Sequence, residues 1–114
     1  MNKVEIQATQ ALAQFVATFK DYKLLQRDYE KVGHILLDYY CAAITGAQTE
    51  TSNIVYKYLL EAEGEGTINV IGKERGLSVA NAAFVNGTSA HCLDFDDGHT
   101  HGSIHPAAPI IPAV

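Results

Sequence analysis

Apolar residues return every three or four positions through the first half of this chain. That spacing commits it to helices, because a half-buried strand alternates with a period of two. The first such stretch runs from about Val4 to Phe19 and aligns Leu12, Phe15, Val16 and Phe19. After a short connection at Asp21-Tyr22-Lys23, a second helix is expected over Leu25 to Ile44. Its apolar side would hold Leu25, Tyr29, Val32, Leu36, Tyr40 and Ala43. Gly46 is the expected terminator, since glycine takes the left-handed cap conformation without a Cβ penalty. Thr51 or Ser52 is placed to cap a third, shorter helix with Ile54, Val55, Tyr58 and Leu59 on its apolar side.

The pattern then changes. Glu61 to Gly66 is polar and glycine-rich, and Thr67-Ile68-Asn69-Val70-Ile71 is a short β-prone run. A charged turn follows from Gly72 to Gly76, and Ser78 is placed to cap a fourth helix. That helix is rich in small residues: Ala80, Ala82, Ala83, Gly87, Ser89 and Ala90. Gly87 in a helix interior costs about 1 kcal/mol of propensity, so close packing must offset it. All three prolines, Pro106, Pro109 and Pro112, come at the end. Pro106 suits an extended approach or a first helical position, whereas Pro109 and Pro112 cannot both sit deep in a regular helix. The spacing permits a polyproline segment for an aromatic-lined groove, but no basic flank accompanies it. A proline-delimited loop leading into a helix is the simpler expectation. The sum is a mainly α, bundle-like fold with at most one short β segment near residues 67–71.

Composition bounds the function. The 114 residues suffice for one modest domain, and 47% hydrophobic against 18% charged residues argues against intrinsic disorder. Eight Lys plus Arg against 13 Asp plus Glu give a formal charge of -5. No basic footprint for nucleic acid or an anionic membrane exists, so neither is expected as a partner. Cys41 and Cys92 form no paired metal or redox motif, which suggests a reducing compartment. The greasiest region, Ile35 to Ala43, is interrupted by Asp38 and too short to span a bilayer. Met1-Asn2-Lys3-Val4-Glu5 lacks the layout of an export signal, making cytoplasm the default. The last residues, Pro112-Ala113-Val114, are apolar and carry no terminator, so a truncated, longer parent is expected.

Chemistry is concentrated in His91-Cys92-Leu93-Asp94-Phe95-Asp96-Asp97-Gly98-His99-Thr100-His101-Gly102-Ser103-Ile104-His105-Pro106, which holds four of the five histidines. Three readings compete. Histidine and aspartate can ligate zinc, manganese or iron, with His99 and His101 flanking one residue and Asp94 and Asp97 sharing a helical face. A histidine titrating near neutrality can instead move a proton while a carboxylate fixes its tautomer. In the third, Asp96 or Asp97 caps the next segment and the histidines are solvated. Asp94 lies three positions after His91 on the small-residue helix, and a carboxylate there is costly without a partner or a task. His105 is held extended by Pro106 at the mouth of the next element. Gly98 and Gly102 could permit unusual dihedrals or close backbone approach to a ligand. His34, inside the second helix, reads as structural or solvent-facing.

Asn86-Gly87-Thr88-Ser89-Ala90-His91, then Leu93-Asp94-Phe95-Asp96-Asp97, then Ser103-Ile104-His105-Pro106 together resemble the MmgE/PrpD family. Thr9 to Val16, Leu36-Leu37-Asp38 and Ala42 to Gly46 fit the family's usual start, so the likeness spans nearly all of the chain. Members include 2-methylcitrate dehydratase, cis-aconitate decarboxylase and iminodisuccinate epimerase. The resemblance implies the first part of a large all-helical domain, residues 1–114, whose active site is completed by later segments and a smaller α/β lid. It implies Asp94 and His105 as catalytic residues, with His105 the acid–base group and Asp94 orienting a neighbour. His91, Asp97, His99 and Ser103 are the implied substrate contacts. Gly98 stands where relatives commonly carry threonine, removing a hydroxyl from the substrate side.

The implied reaction is proton transfer beside a carboxylate of a small di- or tricarboxylic acid. Water loss from a 2-methylcitrate-like acid is the first expectation, with decarboxylation or epimerisation as alternatives. No cofactor and no metal are expected, and a homodimer or higher homo-oligomer is. A citrate-like trianion needs clustered positive charge, whereas the only basic residues near the loop in sequence are Lys73 and Arg75. The alternative of another class is a non-catalytic helical fragment that self-associates to hide its apolar faces.

Overall fold

The structure, a computed structural model, describes residues 7–114. It is mainly helical: α1 (Ala8–Phe19), α2 (Gln26–Gly46), α3 (Glu50–Glu63), α4 (Val79–His91), the single turn α5 (Ala107–Ile110) and a 3₁₀ turn at Ile111–Ala113. The expected start of the first helix at Val4 to Ile6 lies outside the described residues. The chain divides into two units, one ending at Glu30 and one beginning at Lys31, so the division falls within α2.

In the first unit, α1 buries none of its residues. Phe15, Phe19 and Tyr22 form a run of neighbouring rings with centroids 5.5 and 5.6 Å apart. The start of α2 is closed by Asp28, whose carboxylate accepts from the Leu25 amide at 2.8 Å and so satisfies a donor left over at the helix start.

The second unit is built around α4, which contacts α3, α5 and the 3₁₀ turn. One cluster buries Val70, Leu77, Ala82 and Val85 under Val55, Tyr56, Leu59 and Leu60. The other buries Tyr39, Ala43, Ala90, Ala107 and Ala108, with Ile35, Ile71 and Ile111 against it. Each fully buried large side chain contributes roughly 1.5–3 kcal/mol. Alanines fill the second cluster because helix backbones approach closely there. At Gly87 an added Cβ would lie 2.9 Å from the Ala108 carbonyl oxygen. The close packing expected at Gly87 is therefore present, and α5 is its partner.

Several local expectations change. The buried side of α2 runs through Ile35, Tyr39, Ala42, Ala43 and Gly46, while Val32, Leu36 and Tyr40 are exposed. Gly46 is not a left-handed cap. It is the last helical residue, and a Cβ on it would overlap the Ser89 backbone carbonyl. The cap of α3 is Thr49 rather than Thr51 or Ser52, its hydroxyl accepting from the Ser52 amide at 3.3 Å. Ser52 points inward instead, where its hydroxyl meets that of Ser89 at 2.8 Å. Val55 and Leu59 face the core as expected, but Ile54 and Tyr58 are exposed. Ser78 does precede α4, without a side-chain capping bond. The β-prone run yields one antiparallel bridge, Ile68 with Leu77, and no named strand among the described residues.

Candidate functional site

α4 stops at His91, and the chain turns at once. The Cys92 amide still donates to Thr88 at 2.9 Å, and the Cys92 thiol lies 3.3 Å from the Thr49 hydroxyl. This anchors the start of the loop to the junction of α2 and α3. Asp94 then adopts φ +54, a left-handed conformation that aspartate tolerates better than most side chains. Asp94 is therefore in a turn beyond α4, not on its surface as expected from sequence. The reversal leaves its side chain 81% exposed and delivers Asp96 inward, with a side chain only 1% exposed.

Asp96 is the centre of the cluster. Its two carboxylate oxygens lie 3.1 and 3.2 Å from His91 Nδ1. An ionised carboxylate can only accept, so this contact is a hydrogen bond when His91 has its proton on Nδ1. His105 approaches from the far end of the loop, its Nδ1 3.2 Å from Asp96 Oδ1. That nitrogen is buried and off the hydrogen-bond direction, close enough for attraction but without a bonded partner among the described residues. The opposite ring edge, Nε2, lies 3.7 Å from Asp94 Oδ1. The His91 and His105 rings meet edge to face at 4.8 Å between centroids.

The remaining expected residues separate. Asp97 Oδ1 accepts from the Ala107 amide at 3.0 Å, tying the loop to the start of α5. Sequence reasoning allowed either Asp96 or Asp97 this capping part, and Asp97 holds it. His99 sits at an exposed tip, its backbone bridged to Ile104 and its Nδ1 accepting from the Gly102 amide at 2.9 Å. His101 is its neighbour at 6.3 Å between rings, apart from the Asp96 cluster. Ser103, with φ +49, lines an open groove of about 720 Å³ together with Phe84, Gly87, His91, His105 and Pro109. His34 is solvent-exposed.

No lysine or arginine lines this groove among the described residues. Lys73 donates to the Ala47 carbonyl at 2.6 Å and to Asn53 Oδ1 at 2.7 Å, bracing the loop before α4. Burial, and secondarily Lys57, holds its pKa below the usual lysine value. Arg75 pairs with Glu65 at 2.8 Å on the surface. His91, Asp94, Asp96 and His105 each offer one donor atom, all within 4.8 Å of one another, a set that a borderline divalent ion could accept. The metal pattern weighed from sequence, with His99, His101 and Asp97, does not assemble.

Asp96 is the residue that sequence reasoning missed. The cost of a buried carboxylate was assigned to Asp94, yet three aspartates in four positions give no hint of which one turns inward. The left-handed step at Asp94 makes that choice.

No solved structure matches the chain significantly. The chain is 27% identical over 106 residues to the cis-aconitate decarboxylase-like protein oryM of Aspergillus oryzae, covering 93% of this chain and 22% of that protein. It is 29% identical over 107 residues to human cis-aconitate decarboxylase, again 93% and 22%. The enzyme of that name from Aspergillus terreus is 28% identical over 85 residues, covering 75% of this chain and 17% of the enzyme. The chain thus spans about a fifth of the length of these curated relatives. The family model for the MmgE/PrpD N-terminal domain matches residues 10–114. With mainly helical architecture and a family match across nearly its whole length, the chain belongs to the MmgE/PrpD family.

Proposed function

We propose that this chain contributes a proton-transfer site to a lyase acting on a small di- or tricarboxylic acid, with cis-aconitate-like decarboxylation as its reaction. The observation that carries this reading is the two-histidine, one-carboxylate cluster of His91, Asp96 and His105 beside an open groove. The relatives' names favour decarboxylation over the 2-methylcitrate dehydration expected first from sequence. In such a step the bond to the departing carboxylate breaks and its electron pair passes into the adjacent double-bond system. CO₂ leaves, and protonated His105 returns a proton to carbon, so charge and atoms balance. Dehydration would use the same ring in the opposite order, as base toward carbon and then as acid toward the leaving hydroxide.

Asp94 is the exposed carboxylate 3.7 Å from His105 Nε2, placed to meet substrate on that side, and His105 and Asp94 are the catalytic residues in this reading. An ionised Asp94 against a substrate carboxylate would repel it unless a proton or a cation intervenes. His91 and Ser103 are the groove-lining contacts for substrate. Asp97 and His99 shape the loop through their own hydrogen bonds and reach substrate only from its rim. A groove without lysine or arginine cannot by itself hold a trianion, so groups beyond the described residues must supply that charge.

The test is the complete enzyme offered cis-aconitate, 2-methylcitrate and iminodisuccinate. His105→Ala should lower kcat/KM on the accepted acid by about 100-fold or more while the fold persists. An unchanged kcat/KM would remove His105 from the chemistry. Turnover of none of the three acids would remove the substrate class.

A further inference from the structure

We infer that Asp96 is the positioning residue that decides which nitrogen of His105 carries the proton. The inference rests on the proposed proton-transfer role of His105 for its consequence, but not for its geometry. Two carboxylates flank the ring, and they are not equivalent. Asp94 lies 3.7 Å from Nε2 and its side chain is 81% exposed, beyond hydrogen-bond reach and solvated. Asp96 lies 3.2 Å from Nδ1 and its side chain is 1% exposed.

A carboxylate so deeply placed needs donors, because an uncompensated buried charge is costly. Among the described residues no lysine or arginine pairs with Asp96, and its partners are the two imidazoles. His91 supplies one Nδ1–H. The His105 Nδ1, itself buried and lacking any other partner among the described residues, is the second donor within reach. A small rotation of the ring aligns it with Asp96 Oδ1. Both needs, of the buried nitrogen and of the buried carboxylate, are met only if His105 holds its proton on Nδ1.

The consequence is a ring whose Nε2 lone pair faces outward, ready to accept a proton, with the resulting imidazolium stabilised from behind by Asp96. The same carboxylate fixes His91 in the same tautomer. One buried aspartate thereby presents two proton-accepting edges to one groove.

The experiment is long-range ¹H–¹⁵N correlation of the histidine rings in the 114-residue chain, above the pH at which imidazole is charged. His91 and His105 should both show the Nδ1–H signature, opposite to the usual preference of a free histidine side chain. Asp96→Asn should abolish that signature in both rings, whereas Asp94→Asn should leave it intact. An Nε2–H signature for His105 in the unaltered chain overturns the inference, and so does a switch caused by Asp94→Asn alone. The unaltered chain decides even if Asp96→Asn fails to fold. Nδ1–H signatures with no carboxylic acid turned over by the complete enzyme would sink the lyase reading and leave the role of Asp96 standing.

Discussion

Tyr39 carries its hydroxyl into the alanine-filled centre of the second unit, where no described protein group bonds to it. Burial, and then the neighbouring Tyr40, pushes its phenol from 10.0 up to about 12. The unfolded phenol ionises near the lower value and the folded one near the higher. The stability contributed by the neutral ring is therefore intact below pH 10.0 and is lost as pH climbs toward about 12. Tyr39→Phe removes the titrating group and forfeits no protein hydrogen bond. It should leave Tm at neutral pH unchanged or raised and flatten its fall on the alkaline side. Differential scanning calorimetry across that range checks both, and an equally steep alkaline loss in the variant would contradict the account. Tyr39 also shows what single residues reveal in sequence. Its neighbours at three- and four-residue spacing mark a helix, but nothing in the string says that Tyr39 turns inward while Tyr40 faces solvent. The same holds for Asp94 and Asp96, whose opposite fates depend on one backbone angle.

At the scale of elements, α2 contains two glycines with opposite requirements. Nothing lies within 4 Å of where a Cβ on Gly33 would sit, so Gly33→Ala should stabilise by about 1 kcal/mol through helix propensity alone. Gly46 lies where α2 and α4 touch backbone to backbone, and its added Cβ would meet the Ser89 carbonyl and come within 2.9 Å of Cys92 Sγ. Gly46→Ala should cost roughly 1–3 kcal/mol, or more if the backbone cannot yield. Chemical denaturation of the two variants checks the pair, and a neutral Gly46→Ala would show that the contact is looser than described. The helices themselves were legible, because period and length survive any later packing: α2 was expected over Leu25 to Ile44 and spans Gln26–Gly46. Their faces were less so. α2 carries apolar residues around most of its circumference, and the small Ala42 and Gly46 pack inward while Leu36 and Tyr40 do not. Gly46 shows the same limit, since a glycine chosen for closeness looks in sequence like one chosen for a turn.

At the scale of the whole chain, large apolar residues stay open to solvent: Leu12, Phe15 and Val16 on α1, and Leu37 and Ile44 on α2. Ile54 and Tyr58 on α3 and Phe84 on α4 do the same. Association through such surfaces is the expected behaviour of the isolated chain. Sedimentation velocity should show weight-average mass rising with concentration, with little response to salt because the contact is apolar. A monomer at every concentration would refute self-association. Net charge -5 opposes it only weakly once salt screens the surface. No helix among the described residues is long and apolar enough to cross a membrane. The likeness to the family was legible because its carriers, from Asn86 to Pro106, are contiguous. The positive charge that the proposed substrate class would need was not, because the groove's described lining does not contain it.

The bond from Ala107 to Asp97 divides the histidine loop into two parts with different freedoms. Below it lie Asp94, Asp96 and His105, fixed to α4 and α5. Above it, residues 98–104 close on themselves through the His99–Ile104 bridge and the Gly102 amide on His99. Among the described residues, no side-chain hydrogen bond joins this upper lobe to Asp94, Asp96 or His105, so its length can vary while the Asp97–Ala107 bond keeps the lower part in place. If the proposed function holds, substrate preference would diversify at this rim, where Ser103 and Ile104 line the groove.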